Sequence, residues 1–365
     1  MPTIFTKDDL RASVEAASGG KITVLYTATG QPSYMYVHPK FMLEDIDPAL
    51  GTGVHPAFNV GGVEKTEIFI GAYPGVVKNG ELLSLPAVDP SVNRSHDAFV
   101  NAARANGPGW HLMSNIEFAS VALWCWKNGF LPRGNTNYGL SSDATWETAR
   151  RVDGGTPGNA TGTSRTLTGS GPASWRHDNT PAGISDLCGN IWEWTPGLRI
   201  VAGEFQVIPN NNAALDATDL DPTSSAWKAI DGANGNFITP TFTGSIVGDD
   251  YVPTTSRSVR IAESGTEPYT LVRASGSSLA GVSNPGSTPV AAAALAVLKQ
   301  YGLYPPVADS GLGRDGIWHN GEGERLALRG GHWRVAATGG VFALRLIDVR
   351  GNSLANLGGR PAFVI

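Results

Sequence analysis

The chain is poor in the residues that would place it in several functional classes. Of its 365 residues only two are cysteine, Cys125 and Cys188, too few for a disulfide scaffold. They read either as buried free thiols or as one disulfide. Charged residues make up 16% of the chain and the formal net charge is −5, so no basic field is present to attract a phosphate backbone. Nucleic acid is therefore not an expected partner. No apolar run approaches membrane-spanning length, and no membrane insertion is expected. The first ten residues have neither a basic region nor an apolar core, so they do not read as a secretory signal. No internal repeat is visible.

Glycine and proline are abundant instead, at 46 and 24 residues without a collagen-like period, which implies many turns and long structured loops. Thr6 is placed to cap a first helix carrying Leu10, Val14 and Ala17 on one face, with Gly19 ending it. Lys21–Tyr26, Tyr34–Val37 and Glu67–Tyr73 read as strands. Ser95 opens a second helix. Ser114-Asn-Ile-Glu117 is a capping box for a third, which turns Phe118, Val121, Ala122 and Cys125 inward. Residues 130–183 lack periodic apolar pattern and read as a long structured loop region. Leu198–Val201 and Glu204–Ile208 form a hairpin pattern around Ala202-Gly203. Residues 209–310 read as a polar insertion in one domain covering 1–365, and Thr288-Pro289 reads as the start of a short helix ended by Gly302.

The segment 326–365 mixes two kinds of position. Gly330, Gly331, Trp333, Gly340, Phe342, Leu344, Leu346, Gly358, Arg360, Pro361 and Phe363 supply tight backbone, apolar groups and a terminal strand. Between them lie His332, Arg334, Val335, Thr338, Arg345, Ile347, Asp348, Val349, Gly351, Leu354 and Ala355, which follow no pattern of type. A plain surface would be richer in Lys and Glu, and a plain core would be uniformly apolar. Strand alternation places Arg345, Ile347 and Val349 on one face and Leu344 and Leu346 on the other.

Three motifs resemble the formylglycine-generating (sulfatase-modifying factor) family: Asp186-Leu-Cys-Gly-Asn-Ile-Trp-Glu-Trp194, Leu328-Arg-Gly-Gly-His-Trp333 and Gly358-Gly-Arg-Pro-Ala-Phe363. Trp110-His-Leu-Met-Ser-Asn-Ile-Glu-Phe-Ala is similar to that family's helix, whereas 209–310 is unmatched. The resemblance implies an α+β, loop-rich C-type lectin fold in which Trp192 and Trp194 join Gly330, Gly331, Trp333, Phe342, Leu344, Leu346 and Arg360 as scaffold. It also implies a possible calcium ligand at Glu193. The family's enzymes use a C-terminal cysteine pair to bind copper, but no cysteine follows Cys188, and His319 and His332 have no metal-ligand partner at a recognisable spacing. The activity is therefore not carried over, and no catalytic residue or other cofactor is expected.

The C-terminal segment is similar, more narrowly, to the variable protein of a diversity-generating retroelement. In such systems template adenines are copied unfaithfully, and an asparagine codon so altered never encodes Lys, Glu, Gln, Met or Trp. None of the irregular positions carries one of these. The resemblance implies a non-catalytic binding protein of a virion tail or bacterial surface. Its irregular residues would contact a protein ligand or cell-surface receptor. A diverged oxidase of the sulfatase-modifying type and a tail or adhesion protein with a fixed ligand are the alternatives.

Overall fold

The structure, a computed structural model, describes residues 8–246, 250–274, 276, 278–306 and 311–365. It is mixed α/β, rich in strands and poor in helices, with a sheet curled into a half-barrel. The first helix, Asp9–Ser18, is capped by Asp8, whose side chain accepts the Arg11 N–H at 3.0 Å, and it ends at Gly19 in the left-handed region. The expected cap Thr6 lies outside the described residues.

Among the described residues a five-stranded sheet runs in the order Ile22–Tyr26, Pro32–Pro39, Glu67–Gly71, Pro361–Phe363 and Trp110–Leu112. The larger sheet is built around Trp192–Val201. On one side that strand pairs antiparallel with Glu204–Val207, through the expected hairpin. On the other it pairs with Glu324–Gly330, then Gly340–Asp348, then the short parallel edge strand Ile317–His319. The 209–310 segment contributes Lys228–Ile230, Phe237–Ile238, Arg260–Ala262 and Thr270–Val272 to this same sheet.

The helix Asn115–Lys127 packs between the sheets, and its capping box forms as expected: Ser114 Oγ accepts the Glu117 N–H, and Glu117 returns the contact to the Ser114 N–H at 2.8 Å. Phe118, Val121, Ala122 and Cys125 are all buried on it. One core lies between this helix and the face of the large sheet carrying Leu344 and Leu346. A second core lies on the sheet's other face, where Trp192, Trp194, Leu326 and Leu328 meet Phe99, Val100 and Ala103 of the helix His96–Arg104.

Two buried arginines tie the layers together. Arg329 donates to Asn115 Oδ1 and to the carbonyls of Tyr301 and Gly302, at 2.9–3.2 Å. Those carbonyls lie just past the C-terminal end of the helix Ala292–Gln300, where partial negative charge gathers and stands in for a carboxylate. Burial still lowers the Arg329 value to about 9. Arg360 sits between the last two strand segments, Leu357–Gly358 in the large sheet and Pro361–Phe363 in the small one. No helix among the described residues is long and apolar enough to cross a membrane.

Candidate functional site

The segment 331–356 forms the open end of the second core's face. Residues paired directly across a sheet share a face, so register defines a row: Trp194, Leu328, Arg345, Trp318. The row begins fully buried under the helix His96–Arg104 and ends half-buried at Arg345 and Trp318, beyond that helix's cover. Ile347 continues the Arg345 face and is also half-buried, whereas Leu344 and Leu346 point into the first core, as alternation predicts. Val349, Gly351, Leu354 and Ala355 then lie exposed in the following loop, and Arg334 is exposed in the preceding one. Val335 and Thr338 are half-buried, and Thr338 Oγ1 donates to the Val335 carbonyl at 2.6 Å.

Two expected surface positions are not on the surface. His332 is only 6% exposed, because Trp192 lies across it with ring centroids 6.4 Å apart and Trp333 stands perpendicular to it at 5.2 Å. Burial, reinforced by the cations Arg334 and Arg345, holds its imidazole neutral down to about pH 4. Asp348 is 1% exposed. Its carboxylate is held by two contacts from the Arg345 guanidinium and by Asn352 Nδ2 at 2.8 Å. It ends the strand on the same alternating face as the buried Leu344 and Leu346. Trp333, expected as scaffold, is half-buried.

The two loops carrying irregular residues are held by hydrogen bonds from other segments. Tyr138 N–H donates to the Trp333 carbonyl at 2.6 Å and Ala336 N–H to the Thr136 carbonyl at 3.0 Å. Asn93 N–H reaches the Leu354 carbonyl at 3.1 Å, and Trp192 N–H the Asn356 carbonyl at 2.9 Å. Arg350 donates to both Glu324 oxygens and, at 2.8 Å, to Asp97. Sequence reasoning missed Arg350 and Trp318: neither lies in a motif, and only the strand register brings Trp318 beside Arg345.

Glu193, considered above as a calcium ligand, is paired otherwise. Arg360 Nε and Nη2 donate to its two oxygens at 2.9 and 2.6 Å. Burial pushes the carboxyl upward while the guanidinium pulls against it. The geometry is that of a buried ion pair, and among the described residues no group of three acidic, histidine or cysteine side chains converges. Thermal stability is expected to be the same with and without a chelator; a lower melting temperature in chelator would return Glu193 to a metal site.

Both cysteines are free and buried. Cys188 lines a cavity of about 260 Å³ with Thr136, Ser141, Asp143, Asp315 and Gly340. Burial first, then the nearby Asp315, pushes the Cys188 thiol well above its usual range, so it stays protonated and weakly nucleophilic. Asp315 accepts the Phe342 N–H at 2.7 Å. Burial, opposed by that N–H and aided by Asp143, raises its value to about 7 from 3.8. A raised acid favours the fold when protonated, so its contribution is complete below about pH 4 and is lost as pH rises through about 7. Asp315→Asn is expected to flatten the fall in melting temperature across that window; an unchanged slope would assign the fall to other groups.

The structure separates positions that tolerate change from those that do not. Arg334→Ala and Leu354→Ala are expected to alter stability by less than about 0.5 kcal/mol, and Ile347→Ala by about 1 kcal/mol. Arg345→Ala is expected to cost more, roughly 1–3 kcal/mol, because Asp348 would stay buried with only Asn352 as partner. Denaturant titration of the four variants checks the order. Compared with protein-family models and with curated proteins, the chain finds no match in either.

Proposed function

We propose that the protein is a non-catalytic recognition protein of the C-type lectin fold, formylglycine-generating type, whose C-terminal surface is diversified by a retroelement. Its place would be a virion tail or a bacterial surface, and its ligand a protein or cell-surface receptor. The observation that carries the reading is how the two kinds of position in 326–365 sort by space. A Cβ on Gly340 would lie 2.0 Å from the Asp315 carboxylate, and one on Gly358 2.3 Å from Ile191. A Cβ on Gly351, among the irregular positions, would meet nothing within 4 Å. Of the irregular positions, Arg334, Val349, Gly351, Leu354 and Ala355 are exposed and Val335, Thr338, Arg345 and Ile347 are half-buried, whereas His332 and Asp348 are buried. Exposed apolar Val349 and Leu354, together with exposed Arg334, give the mixed surface character that suits a protein partner. A rigidly held loop binds with little ordering cost.

The test is to sequence the DNA around the gene. A near-copy of its 3′ end is expected, differing almost only where the copy has adenine, beside a reverse-transcriptase gene. Without such a repeat the diversification reading fails, and a fixed-ligand binding protein is what stands.

A further inference from the structure

The cavity of about 260 Å³ that holds Cys188 lies against the loop 331–339 and reaches the surface. Asp143 and Arg314, at its outer end, are exposed; Cys188 and Asp315, at its inner end, are buried. From the segment 326–365 it is lined by Ala337, Gly339 and Gly340 and by none of the irregular positions. Its charges do not cancel. Arg133 donates to both oxygens of Glu147, and Arg314 lies 3.7 Å from Asp143. Asp315 has no cation of its own among the described residues. Its Oδ2 accepts the Phe342 N–H at 2.7 Å, whereas its Oδ1 accepts no hydrogen bond among the described residues. The residue is 6% exposed, and Oδ1, unlike the sealed polar atoms of the core, is open to the cavity. Gly340 makes room for it, since a Cβ there would lie 2.0 Å from Oδ1.

We propose that this cavity is the seat for a lysine side chain of the protein partner, its ammonium group meeting Asp315 and its alkyl stem lying along Leu131 and Leu312. The inference rests on the recognition reading above and deepens it by naming a group the partner must carry. A cation is the complement because the two guanidinium groups on the wall already have carboxylates and Asp315 has none. Cys188 stays protonated and adds no charge of its own. An ammonium suits the seat better than a guanidinium. The guanidinium fork pairs with both oxygens of a carboxylate, and here Oδ2 is engaged by the backbone; an ammonium is a point charge that can use Oδ1 alone. Because no irregular position lines the cavity, sequence change at those positions leaves the seat in place. Each diversified copy would then ask its partner for a lysine and differ in what it demands around it.

The experiment uses the full chain, isotopically labelled, and follows the Phe342 amide signal by two-dimensional NMR, because that N–H donates to the Asp315 carboxyl. The probes are lysine blocked at both ends, its norleucine counterpart, which keeps the stem and lacks the ammonium, and butylammonium as a free amine. The blocked lysine is expected to shift Phe342 and to bind at least about tenfold more tightly than the norleucine probe, the worth of one charge-assisted contact. Binding needs the ionised acid, and the Asp315 value is about 7. From pH 6 to pH 8 its ionised fraction rises from about a tenth to about nine tenths, so the apparent Kd is expected to fall roughly tenfold. The other charged or titratable groups that line the cavity are Arg133, Asp143, Cys188 and Arg314. Asp143→Asn is expected to keep the pH dependence. Asp315→Asn, which retains an acceptor for the Phe342 N–H, is expected to lose both the binding and its pH dependence; should it fail to fold, the pH series on the unaltered chain decides. No movement of Phe342, equal binding of the lysine and norleucine probes, or equal Kd at the two pH values overturns the proposal. So does binding of butylammonium without the blocked lysine, which would make the seat one for a free amine. None of these results bears on diversification, which the gene neighbourhood decides separately.

Discussion

Arg360→Ala is expected to destabilise the protein by about 3–5 kcal/mol, the usual cost of breaking a buried ion pair from one side. The guanidinium is fully buried and each of its nitrogens is used. Besides its two bonds to Glu193, Nη1 donates to the Gly71 carbonyl at 2.8 Å and Nη2 to the Ser185 carbonyl at 2.9 Å. Gly71 closes a strand of the small sheet, and Glu193 lies in the central strand of the large one. Alanine would therefore leave a carboxylate and two carbonyls buried without donors, at the place where the two sheets are joined. Denaturant titration measures the loss. Should the variant fail to fold, Glu193→Gln offers a milder probe, expected to cost about 1–3 kcal/mol because the amide still accepts one bond. The double replacement Glu193→Leu with Arg360→Met is expected to be less harmful than Arg360→Ala alone, since no charge is left uncompensated. A single variant as mild as a surface change would mean that water reaches the pair.

Gly331→Ala is expected to cost about 2–4 kcal/mol, against less than about 0.5 kcal/mol for Gly351→Ala. Gly331 has φ of +100°, where an L side chain is strained. A Cβ there would also lie 3.0 Å from the Gly339 Cα and 2.9 Å from Val335 Cγ2. The first neighbour is backbone and has no rotamer to change, so the turn joining Glu324–Gly330 to Gly340–Asp348 must move. The whole loop that carries Arg334 and Val335 would move with it. Binding is thus expected to fall together with stability in Gly331→Ala and to change alone in substitutions at Gly351. Equal costs at the two glycines would remove the distinction between held and free positions on which the proposed function rests.

Much of the local structure is legible in the chain because it depends on neighbours in sequence. The capping box at Ser114 and Glu117 needs only a hydroxyl, a carboxylate and a spacing of three. The hairpin around Ala202-Gly203 and the alternation of Leu344 and Leu346 against Arg345 and Ile347 follow from period alone. The same logic fails where a distant group intervenes. The helix expected to start at Thr288-Pro289 begins at Ala292 instead. Asn284 grips the Val290 backbone from both sides at 2.9 Å, and Ala291 N–H is taken by the Gly232 carbonyl at 2.8 Å. Those bonds hold 290–291 extended, and no propensity within the segment reports them.

The candidate site divides in the same way. From sequence alone came the split of 326–365 into held and irregular positions, and the direction in which the Gly340–Asp348 strand faces. Tertiary structure decided which irregular positions are open. His332 is covered by Trp192, a residue 140 positions earlier by number, and the Asp348 carboxylate is taken up by Arg345 and Asn352. Trp318 joins the site only through its register with Arg345, and Glu193 meets Arg360 because two sheets close around them. Periodicity and capping are short-range, so a sequence displays them; burial and charge pairing depend on which distant segments the fold brings within a few ångströms.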